Sequence, residues 1–211
     1  MGRDLNRDWT GNSRSALACV APSNHTEEIR IEHDFYATEP KAVELLMGLE
    51  KFSNPVWEPA CGLGHISKVL KAHGYQVRES DLVDRMGNEV LDFLSVSSCQ
   101  ETDLFSQLKP YIWDGDIISN PPYVYATEFV TKSLEIIPDG HKVAMFLKLT
   151  FLESATRREL FKKYPPIRVW VASKRLRCLP NGEDKGGALI AYCWYIWEKG
   201  FHGDPIIKWF N

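Results

Sequence analysis

Apolar, strand-like runs alternate with amphipathic helical segments along most of this 211-residue chain, which predicts a doubly wound α/β fold on one mostly parallel sheet. Three observations carry that expectation. Val143-Ala144-Met145-Phe146-Leu147 looks like a strand buried on both faces. Segments 40–49 and 66–72 repeat apolar residues at helical spacing. Between the first strand and the helix after it lies a Gly-x-Gly loop, Gly62-Leu63-Gly64, of the kind nucleotide-binding folds place there.

The elements follow in order. Residues 1 to about 30 are polar and aperiodic with turn formers such as Gly11-Asn12-Ser13, and read as an N-terminal arm or a disordered tail. A helix over 40–49 opens on Pro40, which suits a first helical turn, and a short strand follows over 55–57. Beyond the glycine loop come a helix over 66–72 that stops near Gly74, a strand over 76–80, helical-looking residues 88–91 and a strand over 116–118. Residues 153–164 read as a helix with Arg157, Arg158, Lys162 and Lys163 largely outward. Strands over 167–171 and 188–197 close the sheet. Residues 31–211 are thus expected to form one domain.

Composition narrows the function classes. With 44% hydrophobic and 25% charged residues, the chain can bury a core without staples. No apolar run is long enough to span a bilayer and the first residues lack a signal peptide's apolar segment, so a cytoplasmic location is expected. The five cysteines, Cys19, Cys61, Cys99, Cys178 and Cys193, form no Cys-x-x-Cys pair, so reduced thiols and no metal site are expected. A net charge of −3 argues against coating nucleic acid by charge alone. Any such contact needs a local basic patch.

The first segment that carries chemistry is Glu58-Pro59-Ala60-Cys61-Gly62-Leu63-Gly64-His65. Its glycines let the backbone approach a ligand closely and the helix behind them offers free N–H groups, although a ligand-free tight turn also accounts for them. The spacing matches neither a P-loop nor Gly-x-Gly-x-x-Gly, which disfavours phosphate cradling and dinucleotides. Glu58 would repel a diphosphate but suits a ligand carrying an ammonium and a sulfonium. Asp81, at the end of the second strand of this unit, can accept both hydroxyls of a ribose, or simply cap a turn. Asp92-Phe93 offers an acceptor for an adenine amino group and an apolar face for its ring; a helix cap is the alternative. Together these positions match an adenosyl amino acid better than a dinucleotide.

The second segment is Asn120-Pro121-Pro122-Tyr123, at the end of an apolar strand. Two prolines fix φ and remove two N–H donors, so the loop is stiff and presents carbonyl oxygens. That is what an aromatic amine needs: acceptors on its two N–H groups draw the nitrogen toward tetrahedral geometry and free its lone pair. The expected acceptors are the Asn120 side-chain oxygen and the Pro121 carbonyl, with Tyr123 stacking on the base. A surface turn is the competing account.

At this point the chain resembles the amino-methyltransferases of DNA, most closely the small phage-type N6-adenine enzymes with an Asn-Pro-Pro-Tyr motif. The likeness runs from about Asn24 to near the C-terminus. Asp34-Phe35-Tyr36-Ala37-Thr38-Glu39-Pro40 resembles that family's N-terminal motif, which implies that Tyr36 and Thr38 contact the amino-acid end of the cofactor. Residues 58–65 resemble its cofactor loop, Asp81-Leu82 its ribose position, Asp92-Phe93 its adenine position, and Asn120-Pro121-Pro122-Tyr123 its catalytic motif. Ser173-Lys174-Arg175 and residues 191–198 are similar to its C-terminal strand pair. The resemblance implies a Rossmann-like class I methyltransferase fold, a seven-stranded sheet with an antiparallel C-terminal strand, S-adenosyl-L-methionine as cofactor and S-adenosyl-L-homocysteine as product. Asn120 then serves both cofactor and substrate.

No segment is long enough for the target-recognition domain of the larger restriction-modification enzymes. DNA would instead be held, as a monomer or weak homodimer, by the stretch 173–187, whose Lys174, Arg175, Arg177 and Lys185 are expected to touch phosphates of a strand with the adenine flipped out. A solvated hairpin is the other reading of that stretch. Most of the seven Trp residues are expected in the core. Methylation of adenine or guanine in RNA, or of glutamine in a protein, would use the same tetrapeptide; a catalytically silent cofactor-binding module is a further alternative.

Overall fold

The computed structural model describes residues 36–96, 111–176, 178–180 and 190–211, and the expected N-terminal arm lies outside them. The strands are β1 (Tyr36–Thr38), β2 (Val56–Glu58), β3 (Val77–Asp81), β4 (Glu89–Val90), β5 (Asp116–Ser119), β6 (Lys142–Lys148), β7 (Arg168–Ala172), β8 (Cys178–Pro180), β9 (Tyr192–Glu198) and β10 (Ile206–Phe210). The α-helices are α1 (Pro40–Leu49), α2 (His65–Ala72), α3 (Ala126–Ile136) and α4 (Arg158–Lys163).

Eight strands form the main sheet in the order β10-β7-β9-β6-β5-β2-β3-β4, and β1 pairs with β8 in a separate ribbon. All neighbours in the main sheet are parallel except β9, which runs antiparallel to both β6 and β7. The sheet is therefore doubly wound and mostly parallel with an antiparallel strand near the C-terminus, as expected, but it has eight strands instead of seven. Two strands were not marked by the sequence pattern: β4, whose two residues are both exposed, and β10, which carries Ile206, Ile207 and Trp209 exposed on an edge and so shows no buried alternation.

Period-two alternation sorts the buried strands onto two cores. Val143, Met145 and Leu147 join Trp57, Ile117, Tyr195 and Trp197 against α3. Ala144 and Phe146 join Val56, Ile118, Trp194 and Ile196 against α1 and α2. Every residue of β9 except Glu198 is buried, as befits a strand covered on both faces. Trp170, Trp194 and Trp197 are core residues, and the Trp194 and Trp197 indole N–H groups donate to the carbonyls of Ala42 and Tyr164.

Three local expectations need correction. Residues 88–91 are not helical; Glu89–Val90 form β4, which extends the sheet beside β3. The helix expected over 153–164 is only Arg158–Lys163, because residues 149–152 leave β6 in a 3-10 turn and the chain between is irregular. Arg157 does not point outward: its guanidinium donates to the carbonyls of Phe151, Thr150 and Glu153 and closes that turn. α3 was not among the predicted helices.

A buried ion cluster ties α1 to the far strands. Glu50, just past α1, accepts from Arg168, from the Trp170 indole and from Lys142. Burial alone would raise its pKa, but those hydrogen bonds together hold the carboxyl below its usual value.

Candidate active site

The chain passes from β2 to β3 and β4 on one side and then crosses back to β5 on the other, so the carboxyl ends of β2 and β5 flank the crevice where open α/β sheets bind ligands. The residues after three neighbouring strand ends meet there: the glycine loop after β2, Asp81 at the end of β3, and Asn120 after β5.

The glycine loop is pinned from both sides. Gly62 and Gly64 take positive φ, 53° and 69°, which L side chains adopt only under strain. Gly62 N–H donates to Asp81 Oδ2 at 2.8 Å, and Cys61 N–H donates to the Ser80 carbonyl at 3.0 Å. Asp81 Oδ1 accepts from Val83 N–H at 3.1 Å, so each carboxylate oxygen keeps a second lone pair for a ligand. Pro59 is buried, Ala60 half-buried and His65 half-buried, with the His65 pKa lowered by burial and then by Lys68. Leu82 is 60% exposed.

Glu58 lies beneath this loop, 1% exposed, and accepts from both the N–H and the hydroxyl of Ser67 in the first turn of α2. Burial pushes its carboxyl up to about 8, and the nearby Glu79 and Asp81 add to the rise.

At the expected adenine position, Asp92 Oδ1 accepts from Leu94 N–H and caps the short 3-10 turn Phe93–Ser95. Phe93 is 2% exposed, wedged between Trp57 and Phe129 with ring centroids 5.2 and 5.0 Å away. Its ring belongs to the core; the exposed Asp92 carboxylate is the part of the pair open to a ligand.

The tetrapeptide is organised around one amide. Asn120 Nδ2 donates to the Tyr36 carbonyl at 2.7 Å, which fixes the amide, and the opposite atom, Oδ1, is buried with no hydrogen-bond partner among the described residues. The prolines direct the chain into a 3-10 turn whose first bonds run from Tyr125 N–H to the Pro122 carbonyl and from Ala126 N–H to that of Tyr123. The Pro121 carbonyl precedes the first of them. Tyr123 donates its hydroxyl to Cys178 Sγ at 3.1 Å, and its ring lies 5.4 Å from that of Tyr36 and 6.0 Å from that of Tyr192. Burial and then the adjacent thiol keep the phenol protonated well beyond its usual range, while burial pushes the Cys178 thiol up to about 12.

The β1–β8 ribbon joins these parts. Thr38 pairs with Cys178 across it, so the strand carrying Tyr36 and Thr38 lies hydrogen-bonded beside the strand carrying Cys178. Thr38 is 2% exposed, and its Oγ1 also has no partner among the described residues.

The structure thus brings together Tyr36, Thr38, Glu58, the glycine loop, Asp81 and Asn120-Pro121-Pro122-Tyr123. Lys174 and Arg175 are exposed just past β7, at the same edge of the sheet. Arg177 and Lys185 lie outside the described residues. Sequence reasoning passed over Cys178 and Lys148. Lys148, the last residue of β6, lies over the Tyr123 ring, 4.8 Å from its centroid, and was detectable as the charge that ends a buried apolar run; Cys178 was not, because only the pairing of β8 with β1 brings it to Tyr123.

Comparison with solved structures shows that the fold is that of the class I S-adenosylmethionine-dependent methyltransferases. One neighbour is a putative enzyme of that class from Listeria monocytogenes, with a TM-score of 0.54 at 13% identity, over 92% of this chain and 71% of that one. Another is a putative RNA methyltransferase from Pyrococcus horikoshii, with a TM-score of 0.53 at 15% identity, over 90% and 100%. The type IIG restriction endonuclease BpuSI matches with a TM-score of 0.52 at 11% identity, over 78% of this chain and 24% of its own. No family model matches the sequence. No curated protein matches it.

Proposed function

We propose that this chain uses S-adenosylmethionine to methylate the exocyclic N6 of adenine in DNA, within one catalytic domain over residues 31–211. The observation that carries the reading is Asn120 Oδ1: a buried acceptor without a partner, on an amide fixed through its other end, at the crevice of a methyltransferase fold. A buried acceptor left unpaired costs about 1–3 kcal/mol, and a ligand N–H recovers it.

The residues present fit the cofactor. Asp81 can take the ribose, Asp92 the adenine amino group, and Thr38 Oγ1 the amino-acid end, where a second unpaired buried oxygen waits. Glu58 supplies negative charge under the loop once a cationic ligand favours its ionised form. When bound, the cofactor supplies an electrophilic methyl group on a sulfonium.

The chain's own residues then prepare the amine. Asn120 Oδ1 and the Pro121 carbonyl accept its two hydrogens, aligned before the reaction on a loop that two prolines stiffen. Charge growing on the nitrogen meets fixed dipoles, and the lone pair is turned toward the methyl carbon. The Tyr123 ring offers the base a stacking surface. No general base is required before attack, because the nitrogen's proton becomes acidic only after the methyl arrives. An adenine in a duplex must first leave the stack, at about a few kcal/mol.

The test is transfer of a tritiated methyl group from S-adenosylmethionine to unmethylated DNA, RNA and a glutamine-containing peptide, with the modified base identified after hydrolysis. The expected product is N6-methyladenine in DNA. Label in RNA or peptide alone would move the substrate to that class, and no label anywhere despite cofactor binding would leave a silent binding module.

A further inference from the structure

Strand β6 begins and ends on a lysine, and the two are treated differently. Lys142 at its start pairs with the buried Glu50 at 3.1 Å. Lys148 at its end is half-buried, yet among the described residues its ammonium meets no carboxylate and lies over the Tyr123 ring, 4.8 Å from the centroid. A cation over an aromatic face has no hydrogen-bond acceptor there, so an anion at hydrogen-bond distance can draw it away. Among the described residues, the ammonium is held in place but not neutralised.

Its position says which part of a substrate it faces. The β5–β6 register sets Ser119 beside Met145, so Asn120 falls level with Phe146 and Lys148 stands two residues, roughly 7 Å, further out along the strand. A group bound there belongs to what surrounds the reacting amine. The same edge carries Lys174 and Arg175 just beyond β7. We propose that Lys148 is a phosphate-binding residue that holds a phosphodiester of the substrate strand beside the target nucleotide; this rests on the nucleic-acid reading above. Lys148 leaves the Tyr123 ring for the phosphate as the base enters, so the cation that covers the stacking residue in the free enzyme anchors the backbone in the complex.

The experiment compares full-length wild type, Lys148→Gln and Lys148→Arg in methylating an adenine-containing oligonucleotide across a salt series, with S-adenosylmethionine affinity measured separately by calorimetry. Lys148→Gln is expected to raise KM about tenfold at low salt. It should also flatten the dependence of log KM on log salt by about 0.7–0.9, one phosphate contact, with kcat within threefold and cofactor affinity unchanged. Lys148→Arg restores the slope. A methylphosphonate at the phosphate flanking the adenine raises KM for wild type and has no further effect on Lys148→Gln. An unchanged salt slope with reduced kcat overturns the proposal and leaves Lys148 as a support for Tyr123. Weakened cofactor affinity overturns it in favour of the cofactor's carboxylate. If wild type methylates no polynucleotide, the nucleic-acid reading itself falls, and that is seen before any variant is compared.

Discussion

Replacing Asn120 by Ala removes two interactions that the structure separates. On the substrate side it deletes Oδ1, the buried acceptor with no partner among the described residues. Losing one preorganised dipole aimed at developing charge is worth about 3 kcal/mol, or on the order of 10²-fold in kcat at 1.36 kcal/mol per decade. On the scaffold side it deletes the 2.7 Å bond from Nδ2 to the Tyr36 carbonyl, a loss of about 1 kcal/mol in stability. The assay is tritiated methyl transfer under saturating cofactor and DNA, with thermal unfolding and calorimetric cofactor binding run on the same preparation. The expected result is a kcat reduced roughly a hundredfold or more, a modest fall in Tm, and cofactor affinity reduced no more than about tenfold. A folded, cofactor-binding Asn120→Ala protein with kcat within about threefold of wild type would refute the claim that this amide activates the amine.

Three further outcomes are expected. Tyr123→Phe keeps the stacking ring and loses the hydroxyl's hydrogen bonds to Cys178 and Tyr192, so its Tm should drop by an amount matching about 1 kcal/mol per bond while kcat stays within a few fold; Tyr123→Ala should lose most activity, and equal losses in both would transfer the role to the hydroxyl. Glu50→Ala strands Arg168 and Lys142, both with some solvent access, and should destabilise by about 3 kcal/mol in urea unfolding with cofactor affinity unchanged; a loss under 1 kcal/mol would show that water replaces the carboxylate. Glu58 is raised in the folded state from 4.5 to about 8, so its stabilising contribution is complete below about pH 4.5 and is lost as pH rises through about 8. Glu58→Gln should therefore unfold at a temperature that falls less than wild type's between pH 5 and 9, and parallel curves would mean that Glu58 is already ionised at pH 5.

The parts of the fold that were legible in the chain are those with strong periodicity. Pro40–Leu49 matched its predicted helix because proline and an apolar stripe mark both its start and its face. β6 and β9 stood out as buried apolar runs. Short or exposed elements did not: β4 has two residues, both exposed, and β10 turns most of its apolar side chains to solvent. Their strand geometry comes from the neighbour they pair with. Arg157 misled for a related reason, since a helical spacing of basic residues cannot show which one turns back onto carbonyls.

The chemistry divides along the same line. Asn120-Pro121-Pro122-Tyr123, the glycine loop and Asp81 are local patterns of residue type and spacing, so they could be marked as candidate site residues from one dimension. What only the tertiary structure decided is how those groups are held and what remains unpaired. Nδ2 of Asn120 meets a carbonyl 84 residues away, Tyr123 meets a thiol 55 residues away, and the glycine loop meets Asp81 19 residues on. A hydrogen bond is a short-range contact, and no spacing rule foretells which distant residue closes it. The sheet order makes those contacts, and it leaves Asn120 Oδ1, with Thr38 Oγ1, buried without a partner among the described residues.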